Sequence, residues 1–319
     1  MSRIGMGLAA LGRPGYINIG HAEDLARRSD VAAMQAHTHA LLDAAWAAGV
    51  RYFDAARSYG RAEEFLARWL ATRHVAPAAV VVGSKWGYTY TADWKVNAAQ
   101  HEVKEHSATM LCRQIAESRA LLRDHLDLYQ IHSATLDSGV LDNQPVLHEL
   151  ARLRAEGLAI GLTLSGPRQA ATLDRAMQVR VADEPLFDVV QATWNLLEPS
   201  AGPLLQAAHA AGMGVIVKEA LANGRLTMRN RDAAFAAPLR LLAEVAAQRS
   251  TTVDALALGA VLAQPWADVV LVGAATVEQL RSNLAATALP WDGDVAQRLA
   301  VLVEPPQLYW STRGGLPWN

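Results

Sequence analysis

The chain of 319 residues is 51% hydrophobic and 19% charged, a balance that supports a large buried core and excludes an intrinsically disordered protein. A formal net charge of −2 argues against nucleic acid or a polybasic membrane contact as partner. The single cysteine, Cys112, excludes an intrachain disulfide framework, and its setting, Met110-Leu111-Cys112-Arg113, predicts a buried structural thiol.

In chain order, short continuous apolar runs of the kind covered on both faces in a parallel sheet alternate with amphipathic helical segments. A first strand is predicted near Arg3–Leu8, followed by an insertion, Arg13–Arg28, and a helix over Val31–Ala48. Strand Arg51–Asp54 leads to helix Ala62–Ala71, strand Val80–Lys85 to helix Thr109–Arg123, and strand Leu126–His132 to helix Pro145–Glu156. Strand Leu158–Thr163 precedes helix Arg168–Val179, strand Val189–Thr193 precedes helix Gly202–Ala211, and strand Gly214–Lys218 precedes two helices within Phe235–Gln264. The last strand, Val269–Gly273, leads into Thr276–Ala288, where Thr276-Val-Glu278-Gln279 has the form of a capping box. Strands and helices alternate without a compositional break, so residues 1–319 are predicted to form a single α/β domain, a (β/α)8 TIM barrel. The N-terminus has neither signal nor transit composition and no apolar run is long enough to cross a bilayer, which predicts a soluble cytoplasmic protein.

Barrel geometry gives the polar residues their meaning. Asp54, Lys85 and His132 each end a strand, Tyr59 follows in the next loop, and the C-terminal ends of all barrel strands face one mouth where active sites are built. A Tyr beside a Lys is an acid with a lowered pKa, and an Asp beside that Lys keeps it charged. Gln191, Lys218 and Gly273 end later strands and rim the same mouth. Trp86 and Tyr88 follow the third strand and are candidate walls of an apolar substrate pocket, together with Tyr90 and Trp94, or else they pack their loop onto the barrel. Trp310 and Trp318 carry the same two alternatives. Three motifs are decoys. Gly5-Met6-Gly7-Leu8-Ala9-Ala10 runs into Arg13-Pro14-Gly15 where a dinucleotide fingerprint needs a helix. His101 and His106 lie five apart rather than on one helical face, and His37 and His39 point to different faces, so no metal site is expected.

With these residues placed, the chain resembles the aldo-keto reductase family over nearly its full length. The resemblance rests on Phe53-Asp54-Ala55-Ala56-Arg57-Ser58-Tyr59-Gly60, Gly83-Ser84-Lys85, Leu128-Tyr129-Gln130-Ile131-His132, Val190-Gln191-Ala192-Thr193-Trp194-Asn195, Gly224-Arg225-Leu226, and Val272-Gly273-Ala274 leading to Gln279-Leu280-Arg281-Ser282-Asn283. It implies nicotinamide-dependent interconversion of a small carbonyl compound and an alcohol, with NADP(H) ahead of NAD(H). Tyr59 would then be the general acid, Lys85 would lower its pKa, Asp54 would pair with Lys85, and His132 would orient the carbonyl. Thr163, Gln191, Lys218, Gly273, Ala274, Thr276, Gln279, Arg281 and Asn283 fall where the family holds its cofactor. The chain departs from the pattern at three points. The Ser-Asn pair after the fifth strand is replaced by Leu162-Thr163-Leu164-Ser165-Gly166, the stacking aromatic after the seventh by Lys218-Glu219, and the basic phosphate loop by Gly273-Ala274-Ala275-Thr276 with Arg281 nearby. Two other function classes are weighed against the reductase: a barrel lyase or aldolase with Lys85 as Schiff-base nucleophile, and a cofactor-sensing regulatory protein.

Overall fold

Eight short segments that are too apolar to face water on either side pair in parallel and close on themselves. In the structure, a computed structural model that describes residues 2–25 and 30–319, they are β1 (Ile4–Gly7), β2 (Tyr52–Asp54), β3 (Val81–Trp86), β4 (Leu126–Ala134), β5 (Ala159–Leu164), β6 (Val189–Thr193), β7 (Gly214–Lys218) and β8 (Val269–Val272). Each pairs with the next in sequence and β8 closes on β1, with Ile4 opposite Val270, so the barrel has no free edge. Tyr52, Leu128, Ile216 and Leu271 form an apolar cluster drawn from four different strands. Leu, Val and Ile on the outer faces join the helices in a continuous core that includes Met6, Leu66, Leu111 and Leu173. The chain therefore forms the (β/α)8 TIM barrel that the strand–helix alternation predicts.

The helices lie where periodicity places them, with ends shifted by a few residues: Val31–Ala47, Ala62–Thr72, Ala108–Leu122, Gln144–Ala155, Gln169–Met177, Gly202–Ala210 and Val277–Ala285. Side-chain caps start several of them. Asp30 accepts from Ala33 N at 2.8 Å, Ser107 from Met110 N at 3.1 Å, and Thr276 from Gln279 N at 3.2 Å. The expected pair between β7 and β8 is present as Ala236–Gln248 and Val253–Leu262. Cys112 corrects the expectation of a buried thiol. It is exposed, on the outward side of a helix whose buried side carries Met110, Leu111 and Ile115.

Three features at the mouth are additions to the repeating unit. The loop after β3 folds into an antiparallel hairpin, Tyr88–Tyr90 against Glu102–Lys104. The chain ends in a helix, Pro306–Gly314, whose Tyr309 and Trp310 pack into a second apolar cluster with Leu242 and Leu256. Of the segment after β1, residues 16–19 cross the mouth as a strap; residues 26–29 lie outside the described residues. Ile19 N donates to Asn223 O at 3.1 Å, Asn223 Nδ2 donates to Ile17 O at 3.0 Å, and Tyr16 and Asn319 exchange backbone hydrogen bonds of 3.0 and 3.2 Å. Gly224 sits at φ +89°, and a Cβ there would lie 3.0 Å from Ile19, so glycine permits the close approach of strap and loop.

Candidate active site

At the C-terminal mouth, β2 and β3 lie side by side, with Asp54 in register with Gly83. Lys85, two residues further along β3, donates from Nζ to Asp54 Oδ2 and to Ala55 O at 2.8 Å. Both side chains are almost fully buried, at 1% and 3% exposure, so this is a desolvated ion pair that needs its other hydrogen bonds. Asp54 receives two of them, from Tyr52 OH at 3.2 Å and from Gln191 Nε2 at 2.9 Å. Gly83 makes the first possible, because a Cβ there would collide with the Tyr52 hydroxyl. Behind the pair, buried Glu63 accepts from Ser84 Oγ at 2.6 Å and Ser118 Oγ at 2.7 Å and is bridged to Arg57, which fixes the β2 loop against β3.

Tyr59 stands over this pair, with Lys85 Nζ 4.7 Å from its ring centroid. Its neighbour across the cleft is His132, at 5.5 Å between ring centroids in an edge-on arrangement. His132 reaches that position through an irregularity: the β4–β5 pairing slips between Ile131 and Ala134, and Ser133 adopts φ 53°. Bulges beside active sites re-aim side chains in this way. Ser58 Oγ lies 3.4 Å from His132 Nδ1, and Tyr88 packs edge-on to the imidazole at 5.0 Å. Burial, reinforced by Lys85 and Arg13, holds the His132 pKa well below 6.5, so the ring is neutral at pH 7.

The phenol of Tyr59 behaves otherwise than the pairing with Lys85 suggests. Burial, then the negative charge of Asp54, pushes its pKa well above 10, and the cation that offsets this most is Arg13. The charge of Lys85 is met by Asp54, and little of it is left to act on the phenol. Tyr59 is therefore a protonated group at neutral pH.

One cleft of about 870 Å3 takes in Asp54, Tyr59, His132 and Tyr88 and extends to Thr252, Asp254 and Asn283. Most of the residues expected on the cofactor side line it: Thr163, Gln191, Lys218, Gly273, Ala274, Gln279 and Asn283. Their donors are partly committed. Thr163 Oγ1 accepts from Ser133 N at 2.7 Å, and the Gln191 amide nitrogen is spent on Asp54, which leaves its oxygen as acceptor. Lys218 Nζ donates to Thr193 Oγ1 at 2.8 Å. Glu219, also at φ 55°, takes a two-point contact from Arg313 of the last helix at 2.7 and 3.2 Å. Burial brings Lys218 down to about 8, and in Glu219 the opposing cations Arg313 and Lys218 outweigh burial and bring the carboxyl down to about 2. A cation and a carboxylate–guanidinium pair thus occupy the position after β7.

Three expected site residues lie elsewhere. Trp86 is fully buried against His106, at 5.6 Å between centroids, and packs into the helix-facing core; it does not line the cleft. Arg281 is exposed and outside the cleft lining, and Thr276 is spent as the helix cap. The decoy histidines are structural. His101 Nε2 contacts Val96 O at 2.8 Å, His106 Nε2 contacts His132 O at 2.9 Å, and His37 and His39 contact Ala275 O and Phe65 O on opposite sides of their helix. Among the described residues no group of three His, Cys, Asp or Glu side chains is placed to hold a metal ion, and no described helix is long and apolar enough to cross a membrane.

Sequence reasoning missed Ser58, Arg13 and Arg313. Ser58 stood inside the matched motif, one residue before Tyr59, without a role. Arg13 lies in the loop directly after a barrel strand, which is itself a signal for the mouth, but its partners Glu102 and Trp318 are remote in sequence.

Comparison with known proteins agrees with this geometry. The chain is 26% identical over 269 residues to the uncharacterized oxidoreductase YqkF of Bacillus subtilis (strain 168), covering 77% of this chain and 80% of that one. Its fold is similar to that of aldo-keto reductase AKR11C1 from Bacillus halodurans (holo form), with a TM-score of 0.71 over 95% of this chain and 93% of the other at 19% identity, a likeness of fold alone. Residues 3–304 match the model of the Aldo/keto reductase family, and the chain belongs to that family.

Proposed function

We propose that the protein is a nicotinamide-dependent oxidoreductase that reduces an aldehyde or ketone to an alcohol. The observation that carries this is the meeting of a protonated, half-buried phenol and a neutral imidazole across one cleft: Tyr59 and His132, 5.5 Å apart at their ring centroids. A bound reduced nicotinamide supplies the hydride. Tyr59 gives its proton to the carbonyl oxygen as that oxygen gains charge, and its raised pKa keeps the proton available until then. In the tautomer with the proton on Nε2, Nδ1 faces the Ser58 hydroxyl as an acceptor and His132 donates a hydrogen bond to the same oxygen. Asp54 and Lys85 hold the phenol in place and balance each other's charge. Because Lys85 is buried and spent on Asp54 and Ala55, it is a poor Schiff-base nucleophile, which weighs against a lyase.

The cleft suits a dinucleotide in that polar groups lie along it: Ser165 and the Gln191 oxygen at the mouth, and, beside Asn283 at the far arm, Gln279, whose oxygen accepts from Ala275 N at 2.8 Å and leaves its amide nitrogen to donate, and Ser282, which shares a hydrogen bond with Thr252 at 3.0 Å. That arm also presents Asp254 and Glu278, while Arg281 stands outside it. A 2′-phosphate would add charge beside two carboxylates with no cation of the phosphate loop to meet it. This supports NAD(H) ahead of NADP(H), the reverse of the order the family resemblance implies. Fluorescence titration, with nine Trp as reporters, is expected to give tighter binding of NADH than NADPH in the wild type. Glu278→Arg is expected to raise NADPH affinity about tenfold. Tighter NADPH binding in the wild type, unaffected by Glu278→Arg, would refute the assignment.

A further inference from the structure

Arg13 is the charged group that the proposed chemistry leaves unused. It follows β1, is only 3% exposed, and lines the cleft beside Tyr59. Three aromatic rings surround its guanidinium, with centroids 4.8 Å (Trp318), 5.4 Å (Tyr59) and 5.5 Å (Tyr16) away. A guanidinium carries five N–H donors in a fixed fork. Here only Nη1 is employed, toward Ser58 O at 2.9 Å and Glu102 Oε1. Among the described residues Nε is buried without a partner and Nη2 makes no hydrogen bond.

Nε and Nη2 form the side of the fork that grips a planar carboxylate with two parallel hydrogen bonds, as Arg73 grips Asp43 elsewhere in this chain. Leaving that edge empty in a desolvated site is costly, and a carboxylate is the group whose shape and charge fit it. Glu102 already meets the guanidinium charge from the other edge, so one added negative charge is tolerated there more readily than the two of a dianionic phosphate. We propose that Arg13 binds a carboxylate on the substrate, and that the preferred carbonyl compounds are oxo acids whose acid group lies a few bonds from the reducible carbonyl. This rests on the carbonyl-reductase reading for its substrate class. Trp318 borders the site: its ring lies 4.8 Å from the Arg13 guanidinium and stacks on His101 at 3.9 Å with an interplanar angle of 7°. On this proposal a carboxylate that reaches the buried Nε shifts the surroundings of Trp318, which makes its emission a reporter of binding.

The test compares 4-carboxybenzaldehyde with its neutral amide, 4-formylbenzamide, as substrates with NADH. It uses the wild type, Arg13→Gln, Arg13→Lys and Glu102→Gln. In parallel, benzoate and benzamide, which cannot be reduced, are titrated by calorimetry and by Trp fluorescence. The acid is expected to exceed the amide in kcat/KM by about tenfold or more in the wild type, chiefly through KM. Arg13→Gln is expected to bring that ratio near one, Arg13→Lys to leave an intermediate ratio, and Glu102→Gln to raise it. Benzoate is expected to bind and change Trp emission only while Arg13 is present. If Arg13→Gln fails to fold, Arg13→Lys and Glu102→Gln still move the ratio in opposite directions. Equal use of acid and amide together with benzoate binding indifferent to Arg13 would overturn the proposal. Arg13-dependent binding of benzoate without reduction of either aldehyde would uphold the carboxylate site and remove the reductase reading instead.

Discussion

The buried Lys85–Asp54 pair makes a stability prediction that is unequal for its two members. Removing one partner of a buried pair leaves an uncompensated charge and costs about 3–5 kcal/mol. Lys85→Met leaves Asp54 with two donors, Tyr52 OH and Gln191 Nε2, so the loss belongs at the lower end, about 3 kcal/mol. Asp54→Leu leaves Lys85 with Ala55 O and the Tyr59 ring, and also strands the Tyr52 and Gln191 donors, each worth about 1–3 kcal/mol when buried and unmade. Its expected cost is about 5–11 kcal/mol, comparable to the whole stability of an ordinary domain. The double variant Asp54→Leu/Lys85→Met has no buried charge and only the two stranded donors, so it should be more stable than Asp54→Leu alone. Urea unfolding followed by Trp fluorescence measures all three. Equal costs for the two single variants, adding up in the double, would refute the coupling described here.

Two further outcomes follow from the mouth. Lys218 titrates near 8 because burial disfavours its charge, so the unfolded chain holds a proton between about pH 8 and the usual lysine range that the folded chain has lost. Its contribution to stability therefore rises with pH across that window, while NADH, an anion, should bind more weakly as pH rises through 8; Lys218→Met should abolish that pH dependence, and an unchanged profile would contradict the assignment. The strap is held to the loop after β7 by Asn223, with bonds of 3.0 and 3.1 Å. Asn223→Ala loses the side-chain bond to Ile17, and stopped-flow dissociation of NADH is expected to quicken about fivefold, whereas an unaltered rate would mean that the strap does not gate the cleft.

The barrel was legible because each strand is a short apolar run and the segments between them keep helical periodicity, with a capping signal at Thr276 before the last of the repeating helices. Asp54, Tyr59, Lys85 and His132 were legible because strand ends in a barrel share one face. Trp86 was misplaced although the period-two rule was available: successive residues of β3 point to opposite faces, so with Lys85 toward the mouth, Trp86 turns to the helices. Cys112 was misplaced for the corresponding reason on a helix, where adjacent residues diverge and Leu111 takes the buried side. The mouth additions were not legible, since the hairpin, the strap and the last helix are fixed by long-range contacts such as Arg13 with Glu102 and Arg313 with Glu219, separated by 89 and 94 residues. The direction of the Tyr59 shift also depended on such contacts, because burial of the phenol, ahead of the charge of Asp54, pushes its pKa up.

The central claim is that hydride reaches a carbonyl carbon while Tyr59 protonates its oxygen. NADH carrying deuterium at both C4 positions of the dihydronicotinamide, incubated with an aldehyde and the protein, tests it directly by mass spectrometry of the alcohol. One deuterium on the carbinol carbon per turnover is expected in the wild type. In Tyr59→Phe the rate of label transfer is expected to fall about 100-fold or more while NADH still binds. Undiminished transfer in Tyr59→Phe, or an alcohol without label from the wild type, would contradict the account.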